Sequence, residues 1–293
     1  MLESWKVSVI RSLMDKHGFR LSKNLGQNLL IDRNIVEKIA DFAKLGRDDT
    51  VVEIGPGFGA LTVALSARAG RVVAVETDRA MIPVLEEVLA GADNVEIVNE
   101  DFMKFDIRRA GDGFTLMGNL PYYITTPIVA KMLEGSVKPD RMVFMVQKEV
   151  AERIVSPPGS RVYGAISVMA QYYSRATQAA DVSRDVFFPK PQVNSAIIVL
   201  EPRAPAEGKP QDEELFFRFV RAGFGQRRKM LRNALGVLGF EKERLDDIFE
   251  RAGIDSARRA ESLGVGEFIA LANAASALAA QSPNGLVNAE RCL

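Results

Sequence analysis

The chain has 293 residues, 47% of them hydrophobic, with 38 basic and 38 acidic side chains that leave no formal net charge. This size allows a substantial core divided between one large and one small domain, and no apolar run is long enough to span a bilayer. The single cysteine, Cys292, excludes an internal disulfide and a cysteine-rich metal site, and the single histidine, His17, leaves any histidine chemistry to one residue. No metal and no membrane partner are therefore expected. The start carries no basic, apolar, small-residue signal, so the expected location is cytoplasmic. His17 reads as a surface or loop residue.

In chain order, residues 1–23 read as a basic, partly helical arm with enough apolar side chains to dock. Asn34 with Glu37 predicts the cap of a helix reaching about Lys44, with Ile35, Ile39 and Phe42 on one face. β-Branched runs predict strands near 51–54, 72–76, 95–98, 114–118 and 141–146, alternating with helices that begin with 60–69. Segments near 176–182 and 195–200 supply two last strands, expected as an antiparallel hairpin at the sheet edge. The α/β domain is thus expected over 24–201. Residues 202–211 lack hydrophobic periodicity and read as a linker. Helices near 212–222, 228–237, 241–252 and 265–280 form a second domain over 212–280, and 281–293 read as a disordered tail.

The stretch Met117-Gly118-Asn119-Leu120-Pro121-Tyr122-Tyr123 carries the most chemistry. The Asn119 side-chain oxygen can accept one N–H of an exocyclic amine and the Leu120 carbonyl the other. Pro121 biases Leu120 towards an extended conformation that can leave this carbonyl facing a pocket. Tyr122 can stack on a base. Taken alone, the run is equally a strand ending in a polar turn. Upstream, Val51-Val52-Glu53-Ile54-Gly55-Pro56-Gly57-Phe58-Gly59 is an apolar strand entering a glycine-rich turn, where the backbone can approach a ligand closely. The turn departs from the dinucleotide fingerprint. Glu76 ends the next β-branched run about twenty residues beyond the first glycine, where an acid holds ribose hydroxyls. Asp101-Phe102 follows the third strand and suits an adenine. Each acid alone is more often a helix cap or a solvated charge, but all lie at strand carboxyl ends, where open α/β sheets bind ligands.

With these residues in place, the chain resembles the ribosomal RNA adenine dimethyltransferases that modify two adjacent adenines near the 3′ end of small-subunit (16S-type) RNA. The resemblance spans about 21–272 and rests on seven blocks in one order: 24–30, 53–57, Glu76, Asp101-Phe102, 119–123, Phe187-Phe188-Pro189-Lys190-Pro191-Gln192-Val193-Asn194-Ser195, and 227–235. Leu29 stands where Phe is expected. The resemblance implies a Rossmann-like, S-adenosylmethionine-dependent methyltransferase sheet with a small C-terminal helical domain. Cofactor contacts carry over to Gln27, Asn28, Leu30, Gly55, Glu76, Asp101 and Asn119, and target-base contacts to Asn119, Leu120, Tyr122 and Phe187. The plain alternative for Phe187 and Phe188 is a plug at the sheet edge. Stacking of one of them on a flipped adenine, worth about 1–3 kcal/mol, is the expectation.

No metal or covalent intermediate is required by such chemistry, because two acceptors below a pyramidal amine gain strength as positive charge develops on nitrogen. For the RNA partner, charge distribution outweighs its zero sum. From Arg218 to Arg232 there are six basic residues and no acidic one. Leu231, Ala234, Leu235 and Leu238 form an apolar stripe that leaves Arg228, Lys229 and Arg232 on an adjoining face. Arg221, Arg227, Arg228, Lys229 and Arg232 are the candidate phosphate contacts, although basic runs are usually solvated helix faces. The partner is expected to be small-subunit ribosomal RNA within a pre-30S particle, met by a monomer. Rival functions are the sister enzymes that methylate large-subunit RNA and confer antibiotic resistance, a non-catalytic assembly or transcription factor on the same fold, and a DNA adenine methyltransferase. Against the last, Asp-Pro-Pro-Tyr would be commoner than Asn119-Leu120-Pro121-Tyr122. Against the first, Arg259-Ala260-Glu261-Ser262-Leu263 resembles the small-subunit ending, with Gly264 where Ser or Thr is common.

Overall fold

The computed structural model describes residues 1–22, 26–121, 124–204 and 206–281. The elements are α1 (Val7–His17), β1 (Leu29–Leu30), α2 (Arg33–Ala43), β2 (Thr50–Ile54), α3 (Ala60–Ser66), β3 (Arg71–Glu76), α4 (Ile82–Val88), β4 (Val95–Asn99), β5 (Phe114–Asn119), α5 (Thr125–Glu134) and β6 (Arg141–Gln147). There follow α6 (Lys148–Val155), α7 (Ala165–Tyr173), β7 (Ser174–Val182), β8 (Phe187–Phe188), β9 (Ser195–Pro202), α8 (Glu213–Gly225), α9 (Leu231–Leu235), α10 (Lys242–Ala252) and α11 (Val265–Gln281). The chain divides into two compact units, 1–152 with 175–202, and 153–174 with 203 onward.

In the first unit a seven-stranded sheet has the order β4-β3-β2-β5-β6-β9-β7. Strands β2 to β6 are mutually parallel where they pair, and β9 runs antiparallel to β6. The central strands are near-continuous apolar runs, such as Val72-Val73-Ala74-Val75, because helices cover both faces of a parallel sheet. The chain winds outward from β2 through β3 to β4, then returns to place β5 on the other side of β2. That reversal is a topological switch point, the place where an open sheet parts its loops to admit a ligand. The two late strands lie side by side at one edge, with β7 outermost. Between them β8 pairs antiparallel with β1, Leu30 opposite Phe187 and Leu29 opposite Phe188.

Two expectations need correction here. The cap of α2 is Asp32, whose carboxylate accepts from the Asn34 and Ile35 N–H groups, and its buried face is Val36, Ile39, Ala40 and Ala43. Asn34 is already helical. In the N-terminal segment, α1 buries Ile10 and Leu13 in a cluster with Val84, Leu85 and Val88 of α4. His17 ends α1, half-buried, with Nε2 2.7 Å from a Glu87 oxygen, so it is neither a loop nor an open surface residue.

The second unit takes in a stretch that the sequence reading had assigned to the sheet domain. Tyr172 of α7 sets its ring 4.8 Å from that of Phe216 of α8, tilted by 36°, and the hydroxyls of Tyr172 and Tyr173 both donate to Glu213. Such aromatic packing, with polar tips satisfied, joins α7 to the later helices. Residues 203–204 and 206–211 carry no helix or strand, as expected of a connection, yet the Gln211 N–H donates to Asn273 of α11. Gly264 precedes α11, and its N–H donates to the Glu267 carboxylate at 2.9 Å. This is the back half of a capping box, which explains how Gly serves where a hydroxyl is common. The expected tail beyond Gln281, with Cys292, lies outside the described residues.

Candidate active site

The carboxyl ends of β2, β3, β4 and β5 border a cavity, open to solvent, at the switch point. Gly55 and Gly57 supply its floor with φ of 63° and 57°, a region that side-chain-bearing residues seldom adopt. A Cβ on Gly57 would stand 3.1 Å from Leu29 Cδ2, so the turn and Leu29 close on each other. Leu29 itself is 7% exposed and lines the cavity.

Glu76, at the end of β3, is 5% exposed. Its Oε1 accepts the Asp78 N–H at 2.8 Å and its Oε2 the Gly57 N–H at 3.4 Å. Burial raises its pKa above the usual carboxylate value against the pull of these donors. Asp101 caps its own turn, Oδ1 accepting the Met103 N–H at 2.9 Å, and it lines the cavity beside Phe102. Gln27 is held at both ends: its Oε1 accepts the Ser22 N–H at 2.7 Å and its Nε2 donates to Asp78 at 2.8 Å. Asn28 lines the cavity and offers its carbonyl to Asn119.

Asn119 closes β5, and its Nδ2 donates to that Asn28 carbonyl at 2.9 Å. The amide is thereby oriented, and Oδ1 is the atom left to accept. The Leu120 side chain is buried and its N–H donates to the Met145 carbonyl at 3.0 Å, which anchors the residue against β6. The Leu120 carbonyl takes no hydrogen bond among the described residues. Tyr122, with Asn24 and Leu25 of the first block, lies outside them.

Two of the sequence-derived residues sit elsewhere. Leu30 does not line the main cavity; its side chain belongs to the core beneath the sheet, and only a smaller adjoining cavity reaches it. Phe187 is 4% exposed and shares that core with Leu30, Val182 and Ile197. Its ring is a plug and not a free stacking platform in this structure. Successive residues of a strand face opposite sides. Phe188 accordingly points the other way, half-buried, with the Arg11 guanidinium 5.9 Å over its ring.

Other groups at the site went unread in the sequence. Glu53, in β2, is 2% exposed and borders the smaller cavity together with Ser4, Gly55, Asn28 and Asn119. Its Oε2, the Ser4 hydroxyl and the Thr62 hydroxyl lack hydrogen-bond partners among the described residues. Burial pushes the Glu53 pKa up to about 8, and the Glu76 charge adds to the rise. The signal was legible, since an acid inside Val51-Val52-Glu53-Ile54 breaks a wholly buried strand. Thr77, Met81 and Ile128 complete the cavity walls. Among the described residues no cluster of His, Cys, Asp and Glu could hold a metal ion, and no helix is long and apolar enough to cross a membrane.

The basic segment of the second unit divides into two kinds of residue. Arg221, Arg228 and Lys229 are exposed and form no ion pair among the described residues. Arg227 instead donates to the carbonyls of Arg161 and Tyr163 at 2.9 and 3.0 Å, and Arg232 pairs with Asp246 of α10. Of the expected stripe, Leu231, Ala234 and Leu235 are buried but Leu238, in the turn after α9, is only half-buried, and because α9 spans only Leu231–Leu235, Arg228 and Lys229 precede the helix instead of lying on its face.

A sequence model of the family described as ribosomal RNA adenine dimethylase matches residues 18–277. A ribosomal RNA small subunit methyltransferase A of Moorella thermoacetica is 46% identical over 271 residues, covering 89% of this chain and 94% of that protein. A protein of the same name from Clostridioides difficile is 44% identical over 270 residues, covering 90% and 93%. Among solved structures, a dimethyladenosine transferase from Plasmodium falciparum aligns with a TM-score of 0.73 at 26% identity, covering 83% of this chain and 95% of that one. The 23S rRNA methyltransferase ErmE aligns at 0.68 and 27% identity, covering 85% and 99%.

Proposed function

This chain belongs to the ribosomal RNA adenine dimethylase family, and we propose that its cavity brings S-adenosylmethionine against a flipped adenine of small-subunit RNA, whose exocyclic amine is dimethylated. The cofactor supplies an electrophilic methyl group. The donor set fits its adenosyl part: a buried carboxylate at the end of β3 for ribose hydroxyls, Asp101 with Phe102 for the base, and a glycine turn with no Cβ in the way. The orphaned Glu53 oxygen beside Asn28 and Asn119 adds an unsatisfied polar atom in the smaller adjoining cavity.

The observation that carries the reading is the orientation of Asn119. With Nδ2 committed to Asn28, Oδ1 accepts one hydrogen of the amine, and the Leu120 carbonyl accepts the other. Both attractions strengthen as the nitrogen becomes pyramidal and cationic, so they stabilise the transition state more than the ground state. Fixing the amine in the cavity supplies much of the remainder. The methylated cation loses its proton to water. For the second methyl group the same acceptor serves a monomethylated amine.

RNA is held by the second unit through Arg221, Arg228 and Lys229, with a pre-30S particle as the substrate and a monomer as the working form. Identities of 44–46% across about nine-tenths of the chain to small-subunit enzymes favour this substrate over the large-subunit one named for the 27% relative. The test is incubation with labelled S-adenosylmethionine and either small-subunit or large-subunit particles, followed by primer-extension mapping. Modified adenines in small-subunit RNA are expected; modification of large-subunit RNA alone overturns the substrate.

A further inference from the structure

The turn that carries Asp101 and Phe102 has an unusual support. The Lys104 and Phe105 N–H groups both donate to the Asp101 carbonyl, at 2.8 and 3.0 Å, which coils the segment tightly. The carbonyls of Phe102, Met103 and Phe105 converge instead on one side-chain ammonium, that of Lys131 in α5, at 2.9, 2.8 and 3.3 Å. An ammonium has three donors and no acceptor, so all of its hydrogen-bonding capacity is committed to this turn. The same nitrogen lies 5.3 Å from the centre of the Phe102 ring. Phe102 in turn stacks on Phe105 at 6.2 Å. Lys131 is half-buried, and desolvation lowers its pKa while the Asp101, Glu100 and Asp106 charges oppose that shift. A lysine spent on main-chain carbonyls at such a cost is holding a shape.

We propose that Lys131 is a positioning residue for the cofactor, fixing the 101–105 turn so that Asp101 and Phe102 present a ready-made seat for the adenine. The proposal rests on the reading of Asp101 and Phe102 as the adenine-binding pair. Two features of the geometry carry it beyond simple packing. The clamp acts on the backbone that bears both cavity-lining residues, and the Asp101 Oδ1 bond to Met103 makes the carboxylate's direction depend on that backbone. It also ties the turn to α5, a rigid helix of the same unit.

Lys131→Met keeps the stem and removes the donors. The expected result is about a tenfold rise in the calorimetric dissociation constant of S-adenosylmethionine, because three half-buried carbonyls lose their partner and the turn relaxes. The same factor is expected for 5′-methylthioadenosine, which has the adenine and ribose without the amino acid. The single-turnover methylation rate at saturating cofactor is expected within about twofold of the parent, since the contact touches ground and transition states alike. Lys131→Gln, which retains two N–H donors, should fall between and serves if the Met variant does not fold. Asp101→Ala is measured in parallel. If it weakens both ligands while the Lys131 variants bind normally, the positioning role is overturned and the adenine site stands. If Asp101→Ala binds normally, the adenine site falls and the proposal with it. A Lys131 loss confined to the single-turnover rate also overturns the proposal.

Discussion

Asn119 and Asn28 are joined across 91 residues of chain by one hydrogen bond, Nδ2 to carbonyl at 2.9 Å. The bond sets which end of the Asn119 amide meets the cavity. A donor cannot hold the hydrogens of an amine, so a flipped amide would have no use there, whereas the oriented oxygen acts on the nitrogen as it turns pyramidal. Asn119→Ala is therefore expected to lose about 10²–10³ in single-turnover rate with RNA and cofactor saturating, while RNA affinity changes little. Near-normal turnover in that assay would reduce Asn119 to a strand-ending turn residue.

Glu76 presents a second, separable prediction. Ribose hydroxyls donate to a carboxylate, so Glu76→Ala is expected to weaken S-adenosylmethionine binding by on the order of 1.5–3 kcal/mol. Burial raises the pKa of this group, and ligand donors favour its ionised form. Cofactor affinity should then decline as pH is lowered through the raised pKa, and Glu76→Gln should flatten that decline. Calorimetry across a pH series reads both effects, and an unchanged affinity in the Ala variant removes Glu76 from the site.

Glu53 makes a prediction about stability. Its pKa is about 8 in the folded chain against 4.5 when solvated. The folded state keeps a proton that the unfolded state releases between those values, so this group's contribution is whole below pH 4.5 and is lost as pH rises through about 8. Glu53→Gln cannot ionise and escapes the loss. Its stability in urea melts should gain on the parent progressively from acid to pH about 8, by up to several kcal/mol, then run parallel. A difference between the two that ignores pH would mean that Glu53 is not the buried acid described.

Much of this architecture was legible because parallel strands, buried on both faces, are written as β-branched runs ending in Gly, Glu or Asn. Glu76, Asp101 and Asn119 could be named because the ends of such runs are where ligands bind. The rest depended on direction or on distant partners. Phe187 and Phe188 are chemically equal in sequence, and only the pairing of β8 with β1 decides that Phe187 enters the core. The segment Ala165–Tyr173 is apolar along much of its length, so it carries little periodicity to show that it packs with the second unit. Lys131 gave no signal, since an exposed lysine and one gripping three carbonyls read alike.

The basic segment offers the last prediction, sharpened by the split between free and engaged cations. Arg221, Arg228 and Lys229 have no acidic partner among the described residues, whereas Arg232 is neutralised by Asp246 and Arg227 is spent on two carbonyls. Phosphates bound by the first group would release condensed counterions, so the triple Ala variant should bind small-subunit particles more weakly and with a shallower dependence on salt, the slope falling by roughly 0.7–0.9 per lost contact. Cofactor affinity should stay as it is, because none of the three borders the cavity. Arg232→Ala is the control: it breaks an ion pair whose partners are 40% and 45% exposed, worth about 0–1 kcal/mol of stability, and should leave the salt slope alone. A triple variant that keeps both the affinity and the slope of the parent would return the segment to a solvated helix face and move the RNA contact to another surface.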